Sequence, residues 1–270
     1  MILDKIVCYK KRELLIQKQK MPLAHLLKIA RQLPPKKHGF MKALNRKKGI
    51  NLICELKKAS PSHGLIRKNF SPVSLAKDFE KAGACAISIL TEERFFKGSP
   101  KILKQVRRNT KLPILRKDFI IDPYQVCETF VLGADAFLLI ASLLDDRNLE
   151  MLISLGEWFG MDPLIEVRSK HELRRALKAG AKIIGINNRD LKTLRINPSY
   201  AKQLLSSVPK TIIPVIESGI ESHKQICEYL NLRVNSFLVG TSLMKSRNVK
   251  STILEMLGKT KKGKPNNAKN

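Results

Sequence analysis

The chain has 270 residues, 43% hydrophobic and 27% charged, with 51 Lys and Arg against 23 Asp and Glu. That composition excludes a disordered or fibrous chain, and the length suits either two domains of roughly 150 residues or one α/β barrel of about 250. No apolar run reaches the ~20 residues a membrane span needs. The first eight residues place Asp4 and Lys5 where a signal peptide would need an apolar stretch. Cys8, Cys54, Cys85, Cys127 and Cys227 form no Cys-x-x-Cys pair. The expectation is therefore a cytoplasmic protein with reduced thiols and no membrane association.

Residues 1–48 carry fourteen basic and two acidic side chains. Ile2, Leu3, Ile6, Val7, Leu14 and Leu15 repeat at helical spacing, and a second short helix begins at Pro22. The segment is too short to be a domain, so it is expected to pack as a helical extension over one mouth of the larger unit that begins near Asn51.

From Asn51 onward, short apolar runs alternate with amphipathic stretches. The runs are Asn51–Leu56, Ala84–Leu90, Leu112–Lys117, Asp135–Ile140, Pro163–Val167, Lys182–Asn187, Ile212–Glu217 and Asn235–Gly240. Nearly continuous hydrophobicity is the mark of parallel strands covered on both faces. Helical spacing recurs between them, as in Pro72–Ala82, His171–Ala179 and Asp145–Phe159. Gly83, Gly133 and Gly180 each fall between a helix and a strand, where a left-handed residue ends the helix. Eight strand-plus-helix units in about 210 residues predict a closed (β/α)8 barrel over 49–257, in the α/β class. No Gly-x-Gly-x-x-Gly follows the first strand, which argues against a dinucleotide-binding sheet. Residues 258–270 hold five lysines and no acid and are expected to form a disordered basic tail. The positive excess thus sits at the two ends. Aromatics make up only 6% of the chain, so weak non-specific nucleic-acid binding at low salt is expected rather than a specific interaction.

In such barrels the chemistry sits at the carboxyl ends of the strands. Glu55 and Lys57, two apart, share a face. Lys117, Glu166, Asn187 and Glu217 terminate four further apolar runs. Polar residues at the ends of five of eight strands, with charges of both signs among them, predict a polar site at one mouth, with lysines and carboxylates suited to general acid–base work. The small turns Glu217-Ser218-Gly219 and Gly240-Thr241-Ser242 offer bare backbone N–H groups, as a phosphate needs. The loop Lys58–Gly64 is a candidate substrate loop, with His63 read as solvated. No histidine has metal-ligand spacing, so no metal site is expected. Cys54 and Cys85 read as core filler.

The strings Glu55-Leu-Lys57-Lys-Ala-Ser60-Pro-Ser62, Phe95-Phe-Lys-Gly-Ser99, Leu115-Arg-Lys117-Asp-Phe119-Ile-Ile-Asp-Pro-Tyr-Gln125, Asn187-Asn-Arg189-Asp-Leu-Lys192, Glu217-Ser-Gly219-Ile and Leu238-Val-Gly240-Thr-Ser-Leu-Met244 together resemble the indole-3-glycerol phosphate synthase family. The resemblance covers nearly all but the basic tail. It implies a single TIM barrel with extra N-terminal helices, and a carboxy-lyase of tryptophan biosynthesis. Such an enzyme acts on a small phosphorylated substrate without cofactor, and a monomer is expected. By that resemblance Lys117 is the general acid at the sugar carbonyl and Glu166 handles protons on the anilino and ring side. Lys57 assists as acid in the dehydration, with Glu55 orienting it or acting as base. Asn187 and Glu217 position the substrate. Ser218, Gly219, Gly240 and Thr241 line the phosphate site, Phe96 and Phe119 pack on the aromatic ring, and Ser60 and Arg189 hold its carboxylate. Thr241 stands where many members have Glu or Ser, and its small hydroxyl keeps the phosphate reading intact. Two other readings compete. A sugar-phosphate isomerase on the same fold needs only one acid and one base, and a nucleic-acid-associated protein predicts binding that survives physiological salt.

Overall fold

The computed structural model describes residues 2–46, 49–190 and 193–259, so most of the expected basic tail lies outside the described residues. Three helices come first: α1 (Ile2–Lys20), α2 (Leu23–Arg31) and α3 (Gly39–Leu44). The remaining elements run in order as β1 (Asn51–Leu56), β2 (Ala59–Ser60), β3 (Gly64–Leu65), α4 (Pro72–Ala82), β4 (Ala86–Leu90), α5 (Pro100–Arg107), β5 (Ile114–Lys117), α6 (Pro123–Leu132) and β6 (Ala136–Ile140). After a short 3-10 turn come α7 (Asp146–Trp158), β7 (Asp162–Val167), α8 (Lys170–Lys178), β8 (Ile183–Asn187), α9 (Pro198–Leu205), β9 (Ile213–Glu217), α10 (His223–Leu230), β10 (Ser236–Val239), α11 (Thr241–Lys245) and α12 (Val249–Met256). Eight strands close a barrel in the order β1-β4-β5-β6-β7-β8-β9-β10, β10 returning to β1, and all the pairings are parallel. The small β2–β3 hairpin stands apart within the first long loop. No helix among the described residues is long and apolar enough to cross a membrane.

The eight runs read from the sequence correspond to the eight barrel strands: β1 matches its run, β7 begins one residue earlier, β10 is one residue shorter at each end, and the other five start one or two residues later. Side chains alternate across each strand, and two buried clusters record it. One, with Leu52, Cys54, Ile87, Ile89, Ile165 and Ile184, lies between barrel and helices. The other fills the barrel interior with Ile53, Ala86, Leu115, Leu164, Ile183, Val215 and Leu238. Buried Cys54 and Cys85 belong to these two clusters, and burial raises both thiol pKa values, Cys85 to about 12. Phe40 and Leu44 of α3 join the inner cluster, as do Ile6 of α1 and Phe119 beyond β5. Glycine serves the helix ends as expected. Gly83 and Gly133 cap α4 and α6 with φ of 95° and 90°, a conformation that costs a side-chain-bearing residue dearly.

Close packing appears most sharply where α7 crosses the barrel. A Cβ at Gly156 would lie 2.6 Å from the Phe137 ring and 3.1 Å from Pro163. Replacing glycine inside a helix normally adds about 1 kcal/mol of stability. At this position Gly156→Ala is expected to lose about 1–3 kcal/mol by overpacking, seen as a lower urea midpoint. An unchanged or higher midpoint would show that α7 can move off the strands.

Candidate active site

Counting inward along each strand, the next position beyond the apolar layer is where the sequence turns polar. Ile53 is followed inward by Glu55 and Lys57, Leu115 by Lys117, Leu164 by Glu166, Ile183 by Gly185 and Asn187, and Val215 by Glu217. On β6 the inward residues stay apolar, and Leu138 and Ile140 form one wall. All fourteen residues singled out from the sequence line one cavity at the carboxyl ends of the strands: Glu55, Lys57, Ser60, Phe96, Lys117, Phe119, Glu166, Asn187, Arg189, Glu217, Ser218, Gly219, Gly240 and Thr241. Ile2, Leu3 and Ile6 of α1 also line it, so the amino-terminal helix covers this mouth.

At its centre is the Lys117 ammonium. It is paired with Glu217 Oε2 and lies 3.9 Å from Glu166 Oε2. Asn187 Nδ2 donates to Glu166 Oε1 at 3.0 Å, and Asn187 Oδ1 accepts the Arg189 N–H at 2.9 Å. A second pair lies alongside, Lys57 Nζ to Glu55 Oε1 at 2.8 Å, with Ser88 Oγ donating to Glu55 Oε2 at 3.4 Å. Register explains the grouping: Glu55 lies opposite Ser88, Glu166 opposite Gly185, and Asn187 opposite Glu217.

Three buried carboxylates face two lysines here, so the charges do not cancel in pairs. Burial opposes the charge on Lys117, but Glu217, Glu166 and Glu55 outweigh it and raise its pKa, so the ammonium stays protonated. Burial also pushes the Glu55 carboxyl up, yet Lys57 and Lys117 together hold it below its usual value. Glu217 goes the other way. Burial and the neighbouring carboxylates Glu166 and Glu55 push its pKa up to about 7, against the pull of Lys117. Glu217 therefore exchanges its proton near neutral pH, and its Oε1 is buried without a hydrogen-bond partner.

Two aromatic rings, Phe96 and Phe119, stand 6.1 Å apart at a 42° tilt on one side of the cavity. Opposite, Ser218 and Gly219 adopt left-handed φ of 65° and 78°, and Ser242 Oγ donates to Ile220 O at 3.3 Å, tying the Gly240–Ser242 turn to this one. Ser60 Oγ lies 3.3 Å from Ser62 Oγ. Arg189 reaches Leu194 O at 2.9 Å, and burial lowers its pKa, Glu55 acting the other way. His63, read from sequence as merely solvated, is exposed but lines the rim, 2.9 Å from Ser62 Oγ. Among the described residues no group of His, Cys, Asp and Glu is arranged to hold a metal ion.

Sequence reasoning misses the residues that make room. A Cβ on Gly185 would lie 2.2 Å from Glu217 Oε1, and one on Gly240 would lie 2.4 Å from Glu55 Oε1 and 3.1 Å from its Cβ. Gly240 is expected at the phosphate, and the space it leaves for Glu55 is a further role. Ser88 also escapes, although a lone hydroxyl at an inward position of an apolar strand is a signal that alternation can find.

A family model for indole-3-glycerol phosphate synthase matches residues 3–256. Curated relatives named indole-3-glycerol phosphate synthase include one from Campylobacter hominis, 43% identical over 261 residues, covering 96% of this chain and all of that one. Another, from Caldanaerobacter subterraneus, is 44% identical over 245 residues, covering 91% and 94% of the two chains. In three dimensions the chain is similar to 3-hexulose-6-phosphate synthase from Salmonella typhimurium, with a TM-score of 0.64 at 13% identity over 77% of this chain and 97% of that one. Thiamine phosphate pyrophosphorylase from Pyrococcus furiosus gives 0.59 at 18% identity, over 78% and 96%. At such identities these two similarities speak for the barrel alone.

Gly185→Ala should displace the Glu217 carboxylate from Lys117. Turnover is expected to fall about 100-fold, as small misplacements in active sites do, with the thermal midpoint within a few degrees of wild type. Wild-type turnover in this variant would show that the position of Glu217 is not critical.

Proposed function

The chain belongs to the indole-3-glycerol phosphate synthase family, and on that premise we propose which of its residues carry the reaction. The reaction closes the pyrrole ring of 1-(2-carboxyphenylamino)-1-deoxyribulose 5-phosphate and releases carbon dioxide and water to give indole-3-glycerol phosphate. Its substrate has a phosphate, an aromatic carboxylate and a ketone that needs activation, and each has a counterpart in the cavity.

Lys117 is the general acid that protonates the sugar carbonyl oxygen as the ring carbon attacks. The observation that carries this is its placement between Glu217 and Glu166, which keeps the ammonium charged in a buried site. Glu166, fixed by Asn187, handles the protons of the anilino and ring side. Lys57 is the acid that protonates the departing hydroxyl in the dehydration, and Glu55, 2.8 Å away, orients it. Glu217 and Asn187 position the substrate. Ser218, Gly219, Gly240 and Thr241 receive the phosphate, Phe96 and Phe119 flank the ring, and Ser60 and Arg189 hold the carboxylate. The presence of two lysine–carboxylate pairs favours a sequence of condensation and dehydration over a single isomerisation, for which one acid and one base suffice. The reading includes a monomer acting in the cytoplasm on a small phosphorylated molecule, with no cofactor, metal or specific nucleic-acid partner.

Following indole fluorescence on mixing with substrate, Lys117→Ala is expected to lose about 10²–10⁴-fold in turnover while keeping its fold and its affinity for phosphate. Glu166→Gln is expected to fall within the same range. Near wild-type rates in either variant would remove that residue from the chemistry.

The pH dependence comes from Glu217. Its raised pKa means that it takes up a proton as pH falls through about 7, and the neutral acid no longer balances Lys117. The expected profile of kcat/KM therefore declines on the acid side with an inflection near 7, and Glu217→Gln abolishes that inflection while lowering the plateau. An unchanged inflection in the variant would assign it to another group.

A further inference from the structure

The aromatic wall of the cavity is held from behind by charged groups that the mechanism does not use. Asp118, next to Lys117 in the chain, also borders the cavity, and its carboxylate is held in a buried network. Its Oδ1 accepts the Phe119 N–H at 2.8 Å, its Oδ2 accepts Thr91 Oγ1 at 2.5 Å, and Arg116 Nη2 lies 3.3 Å away. Glu92, after β4, does the same for the other ring. Its carboxylate accepts the N–H groups of Arg94, Phe95 and Phe96 at 3.1, 2.7 and 2.9 Å. Each of the two rings that face the cavity is therefore presented by backbone pinned to a buried carboxylate.

The Asp118 carboxylate is paired with a cation from the amino-terminal helix. Lys10 is 3% exposed, the one buried lysine of α1. Its Nζ lies 2.9 Å from Asp118 Oδ1 and 2.8 Å from Glu13 Oε2. Burial disfavours charge on Lys10, but Asp118 and Glu13 outweigh it and keep the ammonium protonated. In return Lys10, foremost among the neighbours, and Arg116 overcome burial to bring the Asp118 pKa to about 2. Glu92 also feels the charge of Lys10, although burial leaves its pKa raised. The adjacent Tyr9 packs on Phe95, ring centroids 5.8 Å apart, beneath the Arg94 guanidinium at 3.7 Å. A buried ammonium is costly unless it is paired, and a cation serving only to dock α1 could sit at the surface.

We infer that Lys10 is a positioning residue for the aromatic half of the substrate: from the amino-terminal helix it pairs with Asp118, and so fixes the backbone that presents Phe119, beside Phe96, to the ring. The inference rests on the functional reading above. It predicts a loss confined to the ring end of the ligand, because the phosphate turns at Ser218–Gly219 and Gly240–Ser242 lie on other strands.

Two probes separate the ends: indole-3-glycerol phosphate, which has both ring and phosphate, and glycerol 3-phosphate, which lacks the ring. With calorimetry on the whole chain, Lys10→Met is expected to weaken the ring-bearing probe about tenfold, equal to about 1.4 kcal/mol, and to leave glycerol 3-phosphate unchanged. In turnover KM should rise by a similar factor with kcat nearly constant, and Lys10→Arg, which keeps the charge, should restore both. Should Lys10→Met fail to fold, Lys10→Gln, which keeps a donor but not the charge, tests the same contact with Asp118 and is expected to show the same split. Equal weakening of both probes would reduce Lys10 to general stability, and no weakening of either would remove it from the site; each overturns the inference. A wild-type chain that turns over normally confines such a failure to Lys10, whereas one that neither binds the product nor turns over overturns the functional reading and this inference with it.

Discussion

A lysine ammonium held in a buried barrel mouth is the constraint on which the rest of this structure depends. Moving such a charge out of water costs several kcal/mol after relaxation, and isolated it would lose its proton. Here Lys117 keeps it because Glu217, Glu166 and Glu55 reach it from three other strands. No single segment could assemble that set. The carboxylates are brought together by closure of the sheet, with β1 and β5 on one side of the ring and β7 and β9 on the other. Space is set by the same demand. Gly185 and Gly240 occupy inward positions where a Cβ would strike Glu217 and Glu55.

Much of this was legible in the sequence because a parallel barrel writes its geometry into alternation. Runs that end in a charge marked the strands and their active ends, and side chains two apart gave the Glu55–Lys57 pair that the structure closes to 2.8 Å. What escaped was information that lives between strands. Gly185 reads as an ordinary small residue within Ile183–Asn187 until register sets it beside Glu166 and under Glu217. The two-residue strands β2 and β3 are too short for periodicity to reveal, so their segment reads as loop. Likewise α11 reads as a turn, since five residues carry little helical pattern. The buried network of Lys10, Asp118 and Arg116 was invisible because a charged side chain gives no sign in one dimension of whether it will be covered.

The positive excess belongs to a different level of description. Most of it lies in residues 1–48 and in the lysine-rich stretch 258–270, whereas the cavity balances lysines against carboxylates. Yet one of those amino-terminal cations, Lys10, turns inward and joins the site from behind. The helical extension thereby contributes twice to the cavity: apolar side chains from Ile2, Leu3 and Ile6 that cover its mouth, and a buried charge behind its aromatic wall.

The most direct test is to mix the purified chain with 1-(2-carboxyphenylamino)-1-deoxyribulose 5-phosphate, adding neither metal nor cofactor, and to follow the growth of indole fluorescence. Steady turnover with release of carbon dioxide in equal amount to product is the predicted result. A folded sample that binds the substrate but forms no indole would contradict the account, and would turn the search to another reaction of phosphorylated ligands in this barrel.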